Sequence, residues 1–461
     1  MHPDLTYPRS LLTNLLPPQC DHLRGSLNTA ISSAATATRP SSKRVLPILL
    51  PSTRSSSSLS SIVNNPRRTR HIPKATGFPN SRVSLSRSSQ TCGFSAATAG
   101  TTGKAKMAPS KLGSWFPHAK APVIISAPML GAAGASLATE VHKAGGIGFI
   151  AAGFDFSESS AQMKDMDAAL TQARSLLSTT ADDQPLPLGV GFITSHETAG
   201  LFAANVLPIL ARHRVAAAWL FAPNEDLKPH AQIIPALREA GIKAFVQVGN
   251  VAAAREAAAD GADVLVAQGV DAGGHQFSRG CGVVALVPEI KAMLASEFAS
   301  REVAVVAAGG IVEGAGVAAA YALGAEGVVM GTRFVATEEA MSAQLHKELL
   351  VKTKDGGVST WKHEFHDKLV DSKLWKPGYD GRAIIGDIHR EYHVLGGKTA
   401  TVEESRERLK TGWSEDEGKK MIGKWSGAGV GLINEIKPAG EVVVEVREAA
   451  RKRIQELAGL I

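Results

Sequence analysis

The sequence predicts an α/β fold: a closed (β/α)8 barrel of the TIM type, with a C-terminal helical extension and a disordered N-terminal tail. Three observations predict it. From Ala121 onward, eight short apolar runs alternate with Ala-rich helical stretches. Each run is apolar on both faces, as a parallel strand covered by helices must be. Small-residue turns follow the first, sixth, seventh and eighth runs, where a barrel of this kind carries its site. Closure is preferred over an open sheet because it removes both exposed edges.

In order, the predicted strands are 123–128, 146–151, 188–193, 216–221, 244–248, 262–268, 303–308 and 327–330. Each is short, rich in Val, Ile, Ala or Phe, and bounded by turn residues. The stretches Ser136–Ala144, Ser159–Leu177, His196–Arg212, Lys228–Ala240, Val251–Asp260 and Glu313–Leu323 are predicted as crossover helices. A final amphipathic helix is predicted over 441–459. The expected organisation is a tail over 1–106, a barrel over 107–340 and a helical subdomain covering the barrel mouth over 341–461.

Charge divides the chain unevenly. Of 50 Lys and Arg residues and 43 acids, residues 1–106 hold 14 basic residues against only Asp4 and Asp21. The basic excess therefore belongs to the tail, and the remainder is slightly acidic. The tail is rich in Ser, Thr, Arg and Pro and lacks a hydrophobic period, so it cannot bury enough to fold. Arg-rich, Ser-rich, acid-poor composition is that of an organellar transit peptide. Translation from Met107 is the other open reading. Basic runs such as Arg67-Arg68-Thr69-Arg70 are read as solvated charge rather than as a nucleic-acid surface.

Cys20 and Cys92 fall in the tail, which leaves Cys281 as the one thiol of the barrel region and excludes a disulfide framework there. No apolar stretch reaches the roughly 18 to 20 residues of a membrane span. An intracellular, soluble protein is expected, mitochondrial if the tail is a genuine transit peptide and cytoplasmic otherwise, with neither membrane nor nucleic acid as partner. A homo-oligomer is compatible with the composition.

The segment Gln268-Gly269-Val270-Asp271-Ala272-Gly273-Gly274-His275 closes the sixth strand. Gly273 and Gly274 permit positive φ and close approach of a planar ligand, and His275 exchanges a proton near neutral pH. Alone, such a histidine reads more readily as a polar residue on a loop after a strand, and the context of the other strand ends decides otherwise. The first strand ends in Ala127-Pro128-Met129, whose proline fixes the backbone angle. The seventh ends at Gly309-Gly310 and the eighth at Met330-Gly331-Thr332, offering unobstructed amides of the kind that cradle phosphate in barrels. Together these turns point to a phosphorylated planar cofactor across the barrel mouth.

Those motifs, with Ala307-Ala308-Gly309-Gly310-Ile311 and Gly331-Thr332-Arg333-Phe334 followed by Ala336-Thr337-Glu338, resemble the FMN-dependent nitronate monooxygenases, formerly called 2-nitropropane dioxygenases. The resemblance runs from about Pro117 to the C-terminus. It implies FMN contacts at Ala127, Pro128, Met129, Gln268, Gly273 and Gly274, and phosphate-binding amides at Gly309, Gly310, Met330, Gly331 and Thr332. It implies His275 as the catalytic residue. Two departures stand out: Gly191 occupies a position where many bacterial relatives carry Asn toward the flavin phosphate, and Asp271 stands where Glu is common.

The implied reaction oxidises an alkyl nitronate, or a nitroalkane, with O2 to a carbonyl compound and nitrite. Removal of an α-proton from a nitroalkane suits a base such as His275. An FMN-dependent enoyl-acyl-carrier-protein reductase drawing hydride from NAD(P)H is the alternative enzyme, and a non-catalytic flavin-binding barrel is the second alternative. In the C-terminal region, Tyr379-Asp380-Gly381-Arg382-Ala383 and Trp425–Leu432 resemble the smaller subdomain of fungal relatives. The glycines of the second piece suit either approach to a ligand or helix capping. His363, His366, His389 and His393 have no recognised metal spacing and are read as packed or solvated. No metal is expected, and Cys281 is read as structural or incidental.

Overall fold

A computed structural model describes residues 110–179, 184–390, 392, 401–410 and 424–460. The tail expected over 1–106 and His393 lie outside these. Eight parallel strands make the main sheet: β1 Ile124–Ser126, β2 Phe149–Gly153, β3 Leu186–Ile193, β4 Val215–Phe221, β5 Lys243–Val248, β6 Val264–Gln268, β8 Ala304–Ala308 and β9 Gly327–Met330. Their order, β1-β9-β8-β6-β5-β4-β3-β2, is closed by a parallel bridge between Ile125 and Ile147. The amide of Ser126 donates to Ile147, and that of Ile147 to Ile124, at 3.1 and 2.9 Å. The expected barrel is present, and β2 begins three residues later than its apolar run suggests.

Alternation along each strand splits the core into two layers. Ile125, Phe149, Trp219, Phe245, Val266, Val306 and Val329 fill the barrel interior. Ile150, Val190, Leu220, Leu265, Val305 and Met330 face the surrounding helices. Phe245 packs edge-on to Phe149 and lies parallel to Trp219, with ring centroids 5.1 and 6.2 Å apart. The N-terminal end is plugged by the helix Lys111–Trp115, whose Leu112 joins the interior cluster together with Phe116 just beyond the helix. Lys111 anchors that plug by donating from Nζ to the Val303 carbonyl at 2.8 Å.

The crossover helices lie close to their predicted ranges. The segment expected as one helix over 196–212 is instead a 3₁₀ turn, a π turn and a short α-helix, Leu207–His213, whose Pro208 sits in its first turn. A proline there lacks the amide that a continuous helix would use. Among the described residues no helix is long and apolar enough to cross a membrane.

The region after the barrel is not purely helical, which corrects the expectation for 341–461. Strands β10 Thr360–His363, β11 Tyr379–Ile384 and β12 Lys424–Trp425 form an antiparallel sheet with β7, Gly274–Phe277. The register pairs Gly381 with His275 and Arg382 with Gly274. The loop predicted around His275 is therefore a strand, because this sheet supplies it with a hydrogen-bonding edge. The final helix, Ala439–Ala458, returns to the outer layer through Val442, Val443 and Val446.

Arg447 of that helix is 2 % exposed. Its guanidinium donates to the carbonyls of Lys120, Ala144 and Gly145 at 3.2, 2.9 and 2.7 Å, joining the C-terminal helix to the start of the barrel. Arg447→Met is expected to strand these carbonyls and cost about 3 kcal/mol, read as a lower urea midpoint at unchanged slope.

Candidate active site

The C-terminal ends of the barrel strands open into a cavity of about 770 Å³. Its floor is the barrel mouth and its roof is the antiparallel sheet with its flanking loops. Ala127, Pro128, Met129, Gln268, Gly273, Gly274, His275, Gly309, Gly310, Gly331 and Thr332 all line it. Met330 does not. Its side chain is fully buried in the outer layer because Val329 takes the inward position on β9, and its carbonyl accepts the Ala127 amide at 3.1 Å.

Gly309 and Gly310 adopt φ of +110° and +71°, left-handed geometry that glycine accepts without strain. Gly273 is needed for a different reason. A Cβ there would come within 2.4 Å of the Gly427 amide nitrogen, so its bareness admits the C-terminal chain onto the mouth. The Gly427 amide donates to Thr332 Oγ1 at 2.9 Å, and the Ala428 amide to the Asp271 carbonyl at 2.9 Å. The glycines of the Trp425–Leu432 piece thus serve close packing of two backbones. Gly191 is similarly constrained, since a Cβ would meet Pro128 at 2.2 Å. No side chain fits there, which is the physical reason for that departure.

Gln268 donates through Nε2 to the His275 carbonyl at 3.1 Å, while its Oε1 is buried with no hydrogen-bond partner. The amide is thereby oriented, with an acceptor left for a ligand.

His275 is held on three sides by groups from the C-terminal region. Its Nε2 lies 2.8 Å from Asp367 Oδ1, both side chains being largely buried at 10 and 13 % exposure. Trp375 stacks on the imidazole with centroids 3.7 Å apart and planes 12° from parallel. Trp425 covers another side at 4.6 Å. A carboxylate only accepts, so Nε2 carries the proton and Nδ1 is the lone-pair nitrogen. Among the described residues Nδ1 has no hydrogen-bond partner.

His366 and His389, read from the sequence as packed or solvated, are buried in the cavity wall. The Gly386 amide donates to His389 Nδ1 at 3.2 Å, so His389 Nε2 bears the proton and donates to His366 Nδ1 at 3.0 Å. His366 Nε2 then donates to the Trp361 carbonyl at 3.0 Å. Every ring nitrogen is satisfied with both rings neutral. Burial agrees, pushing His366 to about 4 and His389 to about 3. Among the described residues no cluster could hold a metal ion. Burial first, then Glu289, raise the Cys281 thiol, which leaves it unactivated.

The sequence marks none of Asp367, Trp375 and Lys424 as a site residue; Trp425 opens the Trp425–Leu432 piece, Lys424 precedes it, and Asp367 has no signal beyond its adjacency to His366.

The fold and site define a class: a (β/α)8 barrel whose mouth is roofed by a C-terminal sheet, with a histidine–carboxylate dyad above glycine turns. The sequence profile of the family described as "Nitronate monooxygenase" matches residues 117–448. A nitronate monooxygenase of Neurospora crassa is 45% identical over 367 residues, spanning 77% of this chain and 95% of the relative. The nitronate monooxygenase npaC of Metarhizium robertsii is 35% identical over 347 residues, spanning 73% and 93%. Among solved structures, FabK from Thermotoga maritima superposes with TM-score 0.57 at 27% identity, covering 76% of this chain and 99% of its own. A nitroalkane oxidase from Streptomyces ansochromogenes superposes with TM-score 0.56 at 24% identity, covering 76% and 100%, a likeness of fold. The chain belongs to the nitronate monooxygenase family.

The neutral histidine pair has a pH consequence. A histidine whose folded pKa lies below its ordinary 6.5 binds protons first in the unfolded chain, so stability is full above about pH 6.5 and declines as pH falls toward 4. The urea midpoint is expected to drop over that window. His389→Leu should lower it at pH 7, by unpairing His366 Nδ1, yet give a shallower decline; an unchanged slope would rule out the neutral pair.

Proposed function

We propose that this protein oxidises alkyl nitronates with O2 to carbonyl compounds and nitrite, using bound FMN, with His275 as the base that converts neutral nitroalkanes into nitronates. The observation that carries the assignment is the Asp367–His275 dyad on the cavity wall, whose Nδ1 has no hydrogen-bond partner among the described residues.

The residues fit a flavin. Gln268 offers an unpaired buried acceptor, the Ala127–Met129 turn and Gly273 line the floor, and Gly309, Gly310, Gly331 and Thr332 form a glycine-rich end without obstructing side chains. The amides of Gly331 and Thr332, at the start of the helix Thr332–Val335, precede any intrahelical partner. When bound, the flavin supplies the one-electron chemistry with O2 that side chains lack.

The protein's own part is proton management. Nδ1 of His275 takes the α-proton of a neutral nitroalkane, and the resulting imidazolium is balanced by Asp367 at 2.8 Å. The indole faces of Trp375 and Trp425 attract that cation and exclude water from the base. A substrate that arrives as the nitronate needs no such transfer and uses His275 only for orientation.

His275→Asn should therefore lower kcat/KM for nitroethane by at least about 100-fold, the scale of general-base catalysis, while ethyl nitronate turnover stays within about tenfold. Equal loss on both substrates would remove the base assignment. Oxygen uptake and nitrite release in the absence of NAD(P)H test the reaction class. NADH-dependent turnover of an enoyl thioester with no nitrite would instead favour a reductase, the reading to which the FabK likeness lends some support.

A further inference from the structure

Lys424 is the one Lys among the cavity-lining residues, which include no Arg, Asp or Glu. It forms no hydrogen bond or ion pair among the described residues, and burial holds its ammonium below the ordinary lysine value. An ammonium in such a setting is costly unless an anion joins it. The remaining ionisable groups on the wall do not supply one. His275 is already engaged with Asp367, and His346, His366 and His389 are held near 3 to 4 by burial and are neutral.

The sheet decides which end of the cavity the ammonium serves. β7 and β12 follow one another along the same edge of β11, with His275 opposite Gly381, Trp425 opposite Ala383 and Lys424 opposite Ile384. Alternation puts His275 and Trp425 on one face, as their ring contact confirms. Lys424 belongs to the other face, with Arg382 and Ile384. Ile384 packs in the apolar cluster of Ala132, Val312 and Val335, of which Val312 and Val335 lie just beyond the turns at Gly309-Gly310 and Gly331-Thr332. Three residues beyond Lys424, Gly427 is bonded to Thr332 Oγ1. The other cations of this face are occupied: Arg382 donates to the Val270 carbonyl and Thr360 Oγ1, and Lys362, its cross-strand partner on β10, is paired with Asp380 at 2.6 Å.

The glycine turns offer amide donors but no charge, and Gly191 has no room for a side chain. We propose that Lys424 supplies the counter-charge for the phosphate of the flavin, from the roof of the cavity rather than from the barrel. This rests on the flavin reading above. It also makes cofactor choice a property of the C-terminal sheet: a phosphorylated flavin is preferred to riboflavin because only the former neutralises this lysine.

The test is titration of the apoprotein with FMN and with riboflavin, followed by quenching of flavin fluorescence, for wild type, Lys424→Met and Lys424→Arg. Wild type should bind FMN far more tightly than riboflavin. Lys424→Met should weaken FMN by about tenfold or more, leave riboflavin within about twofold and reduce the salt dependence of FMN binding, and Lys424→Arg should retain most of the preference. Melting of the apoprotein supplies a readout of opposite sign. Lys424→Met should raise its Tm by removing an unpaired, half-buried charge, yet shrink the upward shift on adding FMN. An unchanged FMN-to-riboflavin ratio in Lys424→Met would overturn the proposal, including the case in which KM for ethyl nitronate rises and the charge serves the substrate instead. Failure of wild type to bind either flavin would overturn the flavin reading itself, and this inference with it.

Discussion

The antiparallel pairing of β7 with β11 is the contact on which the site depends. Without it, Gly274–Phe277 would be a loop following a barrel strand, and His275 a mobile side chain at its rim. Four paired residues, from Tyr379 opposite Phe277 to Arg382 opposite Gly274, give that segment a backbone partner and fix which way the imidazole points. The same strand, β11, then carries β10 and β12. The sheet thus delivers Trp425 and Lys424 to opposite faces, and the helix Phe365–Leu369 that follows β10 delivers Asp367. Active-site chemistry and roof are one construction, and the barrel supplies its floor.

That construction handles charge sparingly. In an apolar cavity an unpaired ion is costly, and the wall avoids the cost by keeping the His366–His389 pair neutral and fully bonded. The Asp367 carboxylate is engaged by the Nε2 of His275, which sets the tautomer and leaves the lone pair on Nδ1. With one lysine and no acid among its lining residues, the cavity carries a charge balance that, on the reading proposed above, suits a nitronate and a phosphorylated cofactor alike. Specificity on this view comes from the background as much as from the dyad.

Much of the barrel was legible because its signal is local. Val303–Ala308 and Gly327–Met330 read as buried strands from their own residues, and Gly309-Gly310 and Gly331-Thr332 read as ligand turns because they end those strands. The motif around His275 was legible for the same reason. Its conformation was not: Gly-Gly-His is not strand-like in composition, and it becomes a strand through partners about a hundred residues away. Met330 shows a finer limit. The turn it begins was correctly placed at the mouth, but strand alternation turns its side chain outward, where only the packed barrel shows that Val329 has taken the inner position.

The sequence by itself determined the eight strands, the glycine turns at their ends and the histidine after the sixth, because periodicity and turn chemistry act between near neighbours. Tertiary structure decided what that histidine can do. Asp367 lies 92 residues from it along the chain, and Trp375 and Trp425 reach it only through the second sheet. The tautomer, the orientation of the imidazole and the placing of Lys424 follow from these distant contacts. They are set by geometry and desolvation, properties that no residue carries until the chain has closed around it.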